Sequence, residues 1–470
     1  MKLDLLKIFI YTFVFTVFNF NAAYSRELIE SATIHPTPSR YVPRYTPTNL
    51  TESCKDFIKT LSPAGFSWGW LKSPEKVNQS NSNLIDVFYY FKLVTSAPPV
   101  VFFNGGPMSD SHQDFLEFKD LPSTPLVFLD QRGTGCSSAY PYKNQSKAFE
   151  YIFWGTTGIV HDAELVRKRL NLNKWTIVGH SYGSYIVQRY LELFPQSIIK
   201  AGGNGGGIVN FDPLSIQSKA PNLEMRYEEQ FYVLQDYFNK YPQDKINVKK
   251  IVNLNLCKIN ASSRLDCGAE YLQKLSLDIM GFYDLWESIH LAIVEVVNSK
   301  VVYIHQDVSY ENQFNPTHGH IIALEFIGET INLVNYERLR LIGSQILGSK
   351  ELIALSESWQ YSKPNYFWHS LGDKLSLKYK EWIFKETGIR EIRTDTIRKN
   401  LEKYPNIEYT MWSGKYDYYS PRRLLFTSCS QIGPKCNFVA NDHNGHEYHE
   451  SLYVFMSPEL GKQIERARNE

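Results

Sequence analysis

Gly179-His180-Ser181-Tyr182-Gly183 sets a serine between two glycines in the G-x-S-x-G pattern. It follows the apolar run Trp175-Thr176-Ile177-Val178 and precedes the stretch from Tyr185 to Phe194, which has helical spacing. A serine on a tight strand-to-helix turn has crowded neighbours, and small residues two positions to either side relieve the crowding. The bland reading is a turn serine, but few chance matches fall between an apolar strand and an amphipathic helix. A serine hydroxyl is a poor nucleophile until a base takes its proton, so a histidine and an orienting carboxylate must converge on it. In this chain order the acid comes next and the histidine last, each on a loop after a late strand.

Asp417 fits the acid: it follows the strand-like run Ile407 to Trp412 in Trp412-Ser413-Gly414-Lys415-Tyr416-Asp417, and Pro421 closes the loop. An aspartate capping its own turn is the competing reading. Three histidines compete for the base, His443, His446 and His449. We choose His446, because Gly445 before it allows a sharp turn and the loop follows the strand-like run Asn437 to Ala440. The trio also has the look of a metal cluster, but HExxH spacing is absent, and no metal or organic cofactor is expected. His443 and His449 read as loop or helix-start residues.

A tetrahedral intermediate needs N–H donors already aimed at its oxyanion. Tyr182 offers one, directly after the serine at a helix N-terminus. The other should come from Gly105 or Gly106 in Asn104-Gly105-Gly106-Pro107, the turn that ends the β-rich run Pro98 to Phe103.

These groups must be carried by a sheet. Asn83 to Val94, Pro98 to Phe103, Leu126 to Leu129 and Trp175 to Val178 read as strands, and His161 to Leu170 and Tyr185 to Phe194 as helices. Strands alternating with helices imply an α/β fold with a mostly parallel sheet covered on both faces. The alternation breaks after the glycine-rich stretch Gly202 to Gly207. From about Asp212 to Pro405 the chain is helix-like, with Val301 to Ile304 as one strand candidate, and strands resume at Ile407 and Asn437. The expected organisation is a core in two parts, residues 26–211 and 406–470, interrupted by a helical cap over residues 212–405.

With 470 residues, 43% of them hydrophobic and 21% charged, the chain is too apolar for a disordered protein and long enough for a sizeable core. A net charge of +1 argues against a nucleic-acid partner. Residues 1–25 read as an export signal: Lys2 and Lys7, an apolar run from Ile8 to Phe18, then Ala23-Tyr24-Ser25, with cleavage expected before Arg26. An uncleaved anchor is the alternative, but the run is shorter than the ~20 residues that span a bilayer. The mature chain is therefore expected to be periplasmic or secreted, without stable membrane insertion. Six cysteines in such a chain favour disulfides. The short separations of Cys257–Cys267 and Cys429–Cys436 favour local loops and leave Cys54–Cys136 by elimination, although sequence does not choose strictly among the pairings.

Three stretches together resemble the α/β-hydrolase superfamily, and within it the proline iminopeptidase and tripeptidyl aminopeptidase group. Asn104-Gly105-Gly106-Pro107-Met108 is similar to that group's HGGPG, with Asn104 for its histidine and Met108 for its last glycine. Asp130-Gln131-Arg132-Gly133-Thr134-Gly135-Cys136-Ser137 is similar to its DQRGxGxS, which esterases and lipases generally lack. Gly179 to Ser184 supplies the third, and Asp417 and His446 match in order. The likeness covers roughly residues 85 to 210 and 405 to 450 and fades in the insertion.

The resemblance implies a serine aminopeptidase acting on a peptide with a free N-terminus, with acidic residues in the cap binding the substrate's α-amino group. Leu285-Trp286-Glu287 resembles a tryptophan-glutamate element of that cap, and Glu325 or Glu329 could supply a second charge, although solvated helix-face glutamates look the same. An esterase or lipase with the same triad is the rival, since a fold does not fix a substrate. A binding protein on a degenerate hydrolase scaffold is the third reading, disfavoured because every triad position is filled.

Overall fold

The computed structural model describes residues 46–47, 50–79, 81–93, 97–107, 109–139, 152–208, 221–253, 271–272, 275, 279, 283–299, 385, 387–417, 420–447 and 450–469. The export signal, Cys257, Cys267, Val301 to Ile304, Glu325, Glu329, Met108 and His449 lie outside the described residues, as does the whole of 300–384.

The first part of the chain runs α1 (Glu52–Leu61), β1 (Ser67–Pro74), β2 (Leu84–Lys92), β3 (Val100–Phe103), α2 (His112–Phe118), β4 (Leu126–Leu129), α3 (Thr156–Arg169), β5 (Trp175–His180), α4 (Tyr182–Leu193) and β6 (Ile198–Asn204). Within the insertion come α5 (Pro221–Lys240), α6 (Pro242–Asn253), α7 (Trp286–Ser299) and α8 (Thr394–Lys403), and after it β7 (Glu408–Gly414), α9 (Arg422–Ile432), β8 (Cys436–Asn441), α10 (Glu450–Met456) and α11 (Pro458–Asn469). The described strands form one sheet in the order β1-β2-β4-β3-β5-β6-β7-β8. Its pairings from β4 onward are parallel, while β1 and β2 close one edge antiparallel.

Both faces of the sheet are covered, as the strand composition predicts. In β2, Val87, Tyr89 and Phe91 enter one apolar cluster while Phe88 and Tyr90 enter another. The alternation repeats in β3, where Val101 and Phe103 face the first cluster and Val100 and Phe102 the second. Runs apolar at every position are what a sheet buried on both sides demands.

Several boundaries differ from the sequence reading. The helix expected from His161 starts at Thr156, and the helix expected from Tyr185 starts at Tyr182, immediately after the serine. The strand β6, which runs into the glycine-rich stretch, was not among the expected strands. Gly202 lies in that strand because a side chain there would stand 2.6 Å from the Trp412 indole of the next strand. The strand β1, rich in Trp, Gly and Ser, showed no apolar alternation and was not expected.

The described part of the insertion is helical, with its own apolar cluster built on Val233, Leu234, Tyr237, Trp286 and Ile293. Tyr416 of the core joins this cluster: its ring stacks on Tyr283 at 4.4 Å and meets Trp286 edge-on at 5.0 Å. Lys415 adds an ion pair to Asp236 of α5 at 3.1 Å. The cap thus rests on the two residues before Asp417. No described helix is long and apolar enough to cross a membrane.

Candidate active site

Ser181 sits in the turn between β5 and α4 with φ +52° and ψ −118°. This left-handed geometry is rare for a residue with a side chain and typically costs about 1–3 kcal/mol, so surrounding contacts must impose it. A side chain at Gly179 would collide with the carbonyl of Gly183, and one at Gly183 with the carbonyl of Phe103. The two glycines of the motif are therefore required by backbone crowding, as the sequence argument supposed. The Ser181 N–H donates to the Asn204 carbonyl at 2.7 Å, fastening the turn to the end of β6.

Asp417 is buried at 2% exposure on the turn after β7. Its Oδ1 accepts the Ser420 N–H at 2.8 Å and the His446 Nδ1–H at 2.9 Å. Such a bond fixes the imidazole tautomer with its proton on Nδ1 and its lone pair on Nε2, the form a general base needs. The His446 ring lies over Gly205, where a side chain would stand 3.0 Å from its Cε1 and 3.3 Å from Asp417 Oδ2. Gly205 has φ +69°, so both conformation and space call for glycine there. Since Gly205 directly follows the residue that holds the Ser181 amide, the acid–base pair is gathered beside the serine turn.

The loop after β3 passes against the same turn. A side chain at Gly105 would stand 3.3 Å from Ser181 Cβ and 3.8 Å from His180 Nδ1. Gly106 follows with φ +121°, and Tyr182, almost fully buried, opens α4 on the other side. Of the expected oxyanion residues, Gly105 and Tyr182 therefore flank Ser181, with Gly106 next along the loop.

The Asp130-Gln131-Arg132 segment holds this loop. Gln131 Nε2 donates to the carbonyls of Asn104 and Gly105 at 3.1 and 3.0 Å. Asn104, in the place where the resembled motif has histidine, donates from Nδ2 to the carbonyls of Ser109 and Asp110 at 2.6 and 3.1 Å. Asp130 accepts from Ser111 Oγ at 2.7 Å and from the Cys136 N–H at 2.7 Å. Arg132, fully buried, makes a two-pronged ion pair with Asp162 of α3 at 2.8 and 2.6 Å and donates to the carbonyls of Glu75 and Phe153. Cys136 is bonded to Cys54 of α1, and Cys429 to Cys436 between α9 and β8. The sequence marked this segment as distinctive without assigning it a task; the structure makes it the brace of the loop that bears Gly105.

Two histidines beside the site titrate in opposite directions. Desolvation and the adjacent His446 push the His180 pKa down to about 3, which keeps its imidazole neutral. Burial works to lower that of His112, but the hydrogen bond and charge of Asp130 and the charge of Asp110 outweigh it and raise the pKa. His112, Asp130 and Cys136 form a cluster of metal-ligand type among the described residues. The thiol is consumed in a disulfide and both Asp130 oxygens already accept hydrogen bonds, so the cluster is not suited to an ion.

Other expected residues fare differently. His443 is exposed, near Tyr283 of the cap rather than at the serine. Glu287 is exposed on the first turn of α7. Its neighbour Trp286 is buried in the cap cluster, where its indole N–H donates to the Ile279 carbonyl at 2.7 Å. Sequence reasoning passed over His180 and Asn204, whose side chains reach the His446 loop. His180 stood at an unspecified position of the motif and Asn204 inside a glycine run, so neither gave a signal.

Comparison with known proteins agrees with this architecture. Residues 98–267 match a family described as alpha/beta hydrolase fold. A putative proline iminopeptidase of Mycoplasma genitalium is 31% identical over 115 residues, which cover 24% of this chain and 34% of that protein. A proline iminopeptidase of Aspergillus aculeatus is 29% identical over 175 residues, covering 33% of this chain and 37% of that one. The proline iminopeptidase of Neisseria gonorrhoeae is 31% identical over 100 residues, covering 21% and 30%. The chain thus spans about a third of the length of these relatives. The solved acetylester hydrolase of Corynebacterium glutamicum, 13% identical, superposes with a TM-score of 0.38 over 86% of this chain and 95% of its own, too loosely to inform the site. The chain has the α/β-hydrolase fold, and a quarter to a third of it is similar to proline iminopeptidases.

Proposed function

We propose that this protein is an exported serine aminopeptidase that removes N-terminal residues or short N-terminal peptides through an acyl-enzyme on Ser181. The carrying observation is the bond from His446 Nδ1 to buried Asp417, set beside the strained Ser181 turn. Ser181 Oγ attacks the scissile carbonyl while His446 Nε2 takes its proton. The carbonyl oxygen becomes an oxyanion held by the N–H groups of Tyr182 and of Gly105 or Gly106. The intermediate then collapses, the C–N bond breaks, and His446 returns the proton to the departing amine. Water, deprotonated by His446, hydrolyses the ester and regenerates Ser181. Asp417 holds the tautomer and stabilises the imidazolium. No metal or cofactor enters this sequence of steps.

The aminopeptidase assignment rests on the proline iminopeptidase relatives and on the DQRG brace. In this reading the substrate's ammonium is met by cap carboxylates, with Glu287 and Glu329 as candidates. Export is supported by the residue pattern of the first 25 positions and by the two disulfides. The aromatic contact of Tyr416, next to Asp417, with Tyr283 and Trp286 of the cap favours a second reading, an esterase with the same triad. A panel of free and N-blocked aminoacyl and peptidyl arylamides, run beside short-chain esters, separates the two. Preference for free-amine arylamides supports the peptidase; turnover of esters alone overturns it.

A further inference from the structure

His180 and Asn204 are register partners at the C-terminal ends of neighbouring strands β5 and β6. Each side chain reaches the loop that carries the base. The His180 Nε2–H donates to the His446 carbonyl at 2.6 Å, and Asn204 Nδ2 donates to the next carbonyl, that of Glu447, at 3.2 Å. The Asn204 backbone turns the other way: its carbonyl accepts the Ser181 N–H at 2.7 Å and the Ser184 hydroxyl at 2.8 Å. One residue pair is therefore joined to the backbone of the nucleophile and to the backbone of the base.

We propose that His180 and Asn204 are positioning residues, a two-point clamp that sets the distance from the His446 ring to Ser181. The inference rests on the Ser181, His446 and Asp417 reading and deepens it. The His446 loop is held on its far side by backbone bonds from the end of β7, Lys415 N–H to the Asn441 carbonyl at 2.8 Å and Tyr416 N–H to the Asn444 carbonyl at 3.0 Å. Those bonds set its height above the sheet, whereas the clamp pulls two consecutive carbonyls toward the serine turn. The ring centroids of His180 and His446 lie 5.0 Å apart, so the same side chain also limits how far the base can swing. A catalytic group displaced by about 1 Å loses about 100-fold in rate, so a clamp of this kind acts on kcat more than on substrate binding.

The test uses the full-length protein and two readouts, labelling rate with a fluorophosphonate probe and kcat with KM on the best arylamide or ester. Wild-type labelling that disappears in Ser181→Ala establishes the nucleophile first; if the wild type is not labelled, the triad reading itself falls. Given labelling, His180→Phe keeps ring volume without the donor, and His180→Gln restores an N–H near the Nε2 position. Expected are a kcat and labelling rate about 10- to 100-fold lower for His180→Phe with KM within about 2-fold, most of the loss recovered in His180→Gln, and a smaller loss of the same kind in Asn204→Leu. Equal rates for wild type and His180→Phe overturn the clamp while leaving the triad intact. If His180→Phe does not fold, the other two variants decide: a Gln variant about 10-fold or more slower than wild type, or an Asn204→Leu at wild-type rate, overturns it.

Discussion

Two loops reach Ser181 from opposite sides of β5, and they are held in different ways. The loop bearing Gly105 is fixed by side chains: Gln131 on its carbonyls, Asp130 on the following turn, and the buried Arg132–Asp162 pair behind them. The loop bearing His446 is fixed mainly by backbone bonds from β7 and by the neutral side chains His180 and Asn204, with Asp417 as its buried charge. A network of buried charge is intolerant, because any missing partner strands another group without solvent. Hydrogen bonds to backbone carbonyls tolerate drift. One flank should therefore fail by unfolding and the other by losing rate.

The largest expected effect tests the second flank. Asp417→Asn should lower kcat by about 10⁴-fold with a melting temperature close to wild type, because the amide favours the wrong imidazole tautomer. His443→Ala, three residues from the base, should stay within about 2-fold; a comparable loss there would move the base assignment. On the first flank, Arg132→Ala should cost about 3–5 kcal/mol in urea unfolding, since it leaves Asp162 charged and unpaired in the core. A change under about 1 kcal/mol would show that this network is not the brace described. Gln131→Leu lies between the two, removing donors from the Asn104 and Gly105 carbonyls. It should lower kcat about 10-fold with little change in KM.

The smallest effect concerns acid. The folded-state pKa of His112 is raised, so its contribution to stability is present below the unfolded value of 6.5 and is lost as pH rises through the folded one. His180 runs the other way. Its folded pKa of about 3 lies below the unfolded 6.5, so stability falls as pH drops through that window. Urea midpoints between about pH 8 and about pH 4 should fall more steeply in His112→Gln than in wild type and less steeply in His180→Gln. Parallel curves for both would contradict the opposed assignment.

What the sequence disclosed follows the same division. Ser181, Gly179 and Gly183 were legible because backbone crowding permits so few residue types, and the Asp130-Gln131-Arg132 run stood out because each side chain has a specific partner. Asp417 and His446 were chosen by position after a late strand, with His443 and His449 as competitors and Gly445 deciding for His446. The carbonyls that His180 and Asn204 grip leave no mark on residue type in the His446 loop, and the two donors themselves stood at an unspecified motif position and inside a glycine run. The strand β6 was hidden by Gly202 and Gly203, needed where Trp412 and Ser184 press against the sheet. Glu287 was an inference from a tryptophan-glutamate pair whose tryptophan proves to be cap core.

The central claim, that Ser181 is a nucleophile activated by His446, is tested most directly by peptide mapping after treatment with a fluorophosphonate. The account predicts a single adduct on Ser181 in the wild type, none in Ser181→Ala, and labelling slowed by about 10³-fold or more in His446→Ala. An adduct on another residue, or Ser181 labelling that proceeds at the wild-type rate without His446, would contradict it.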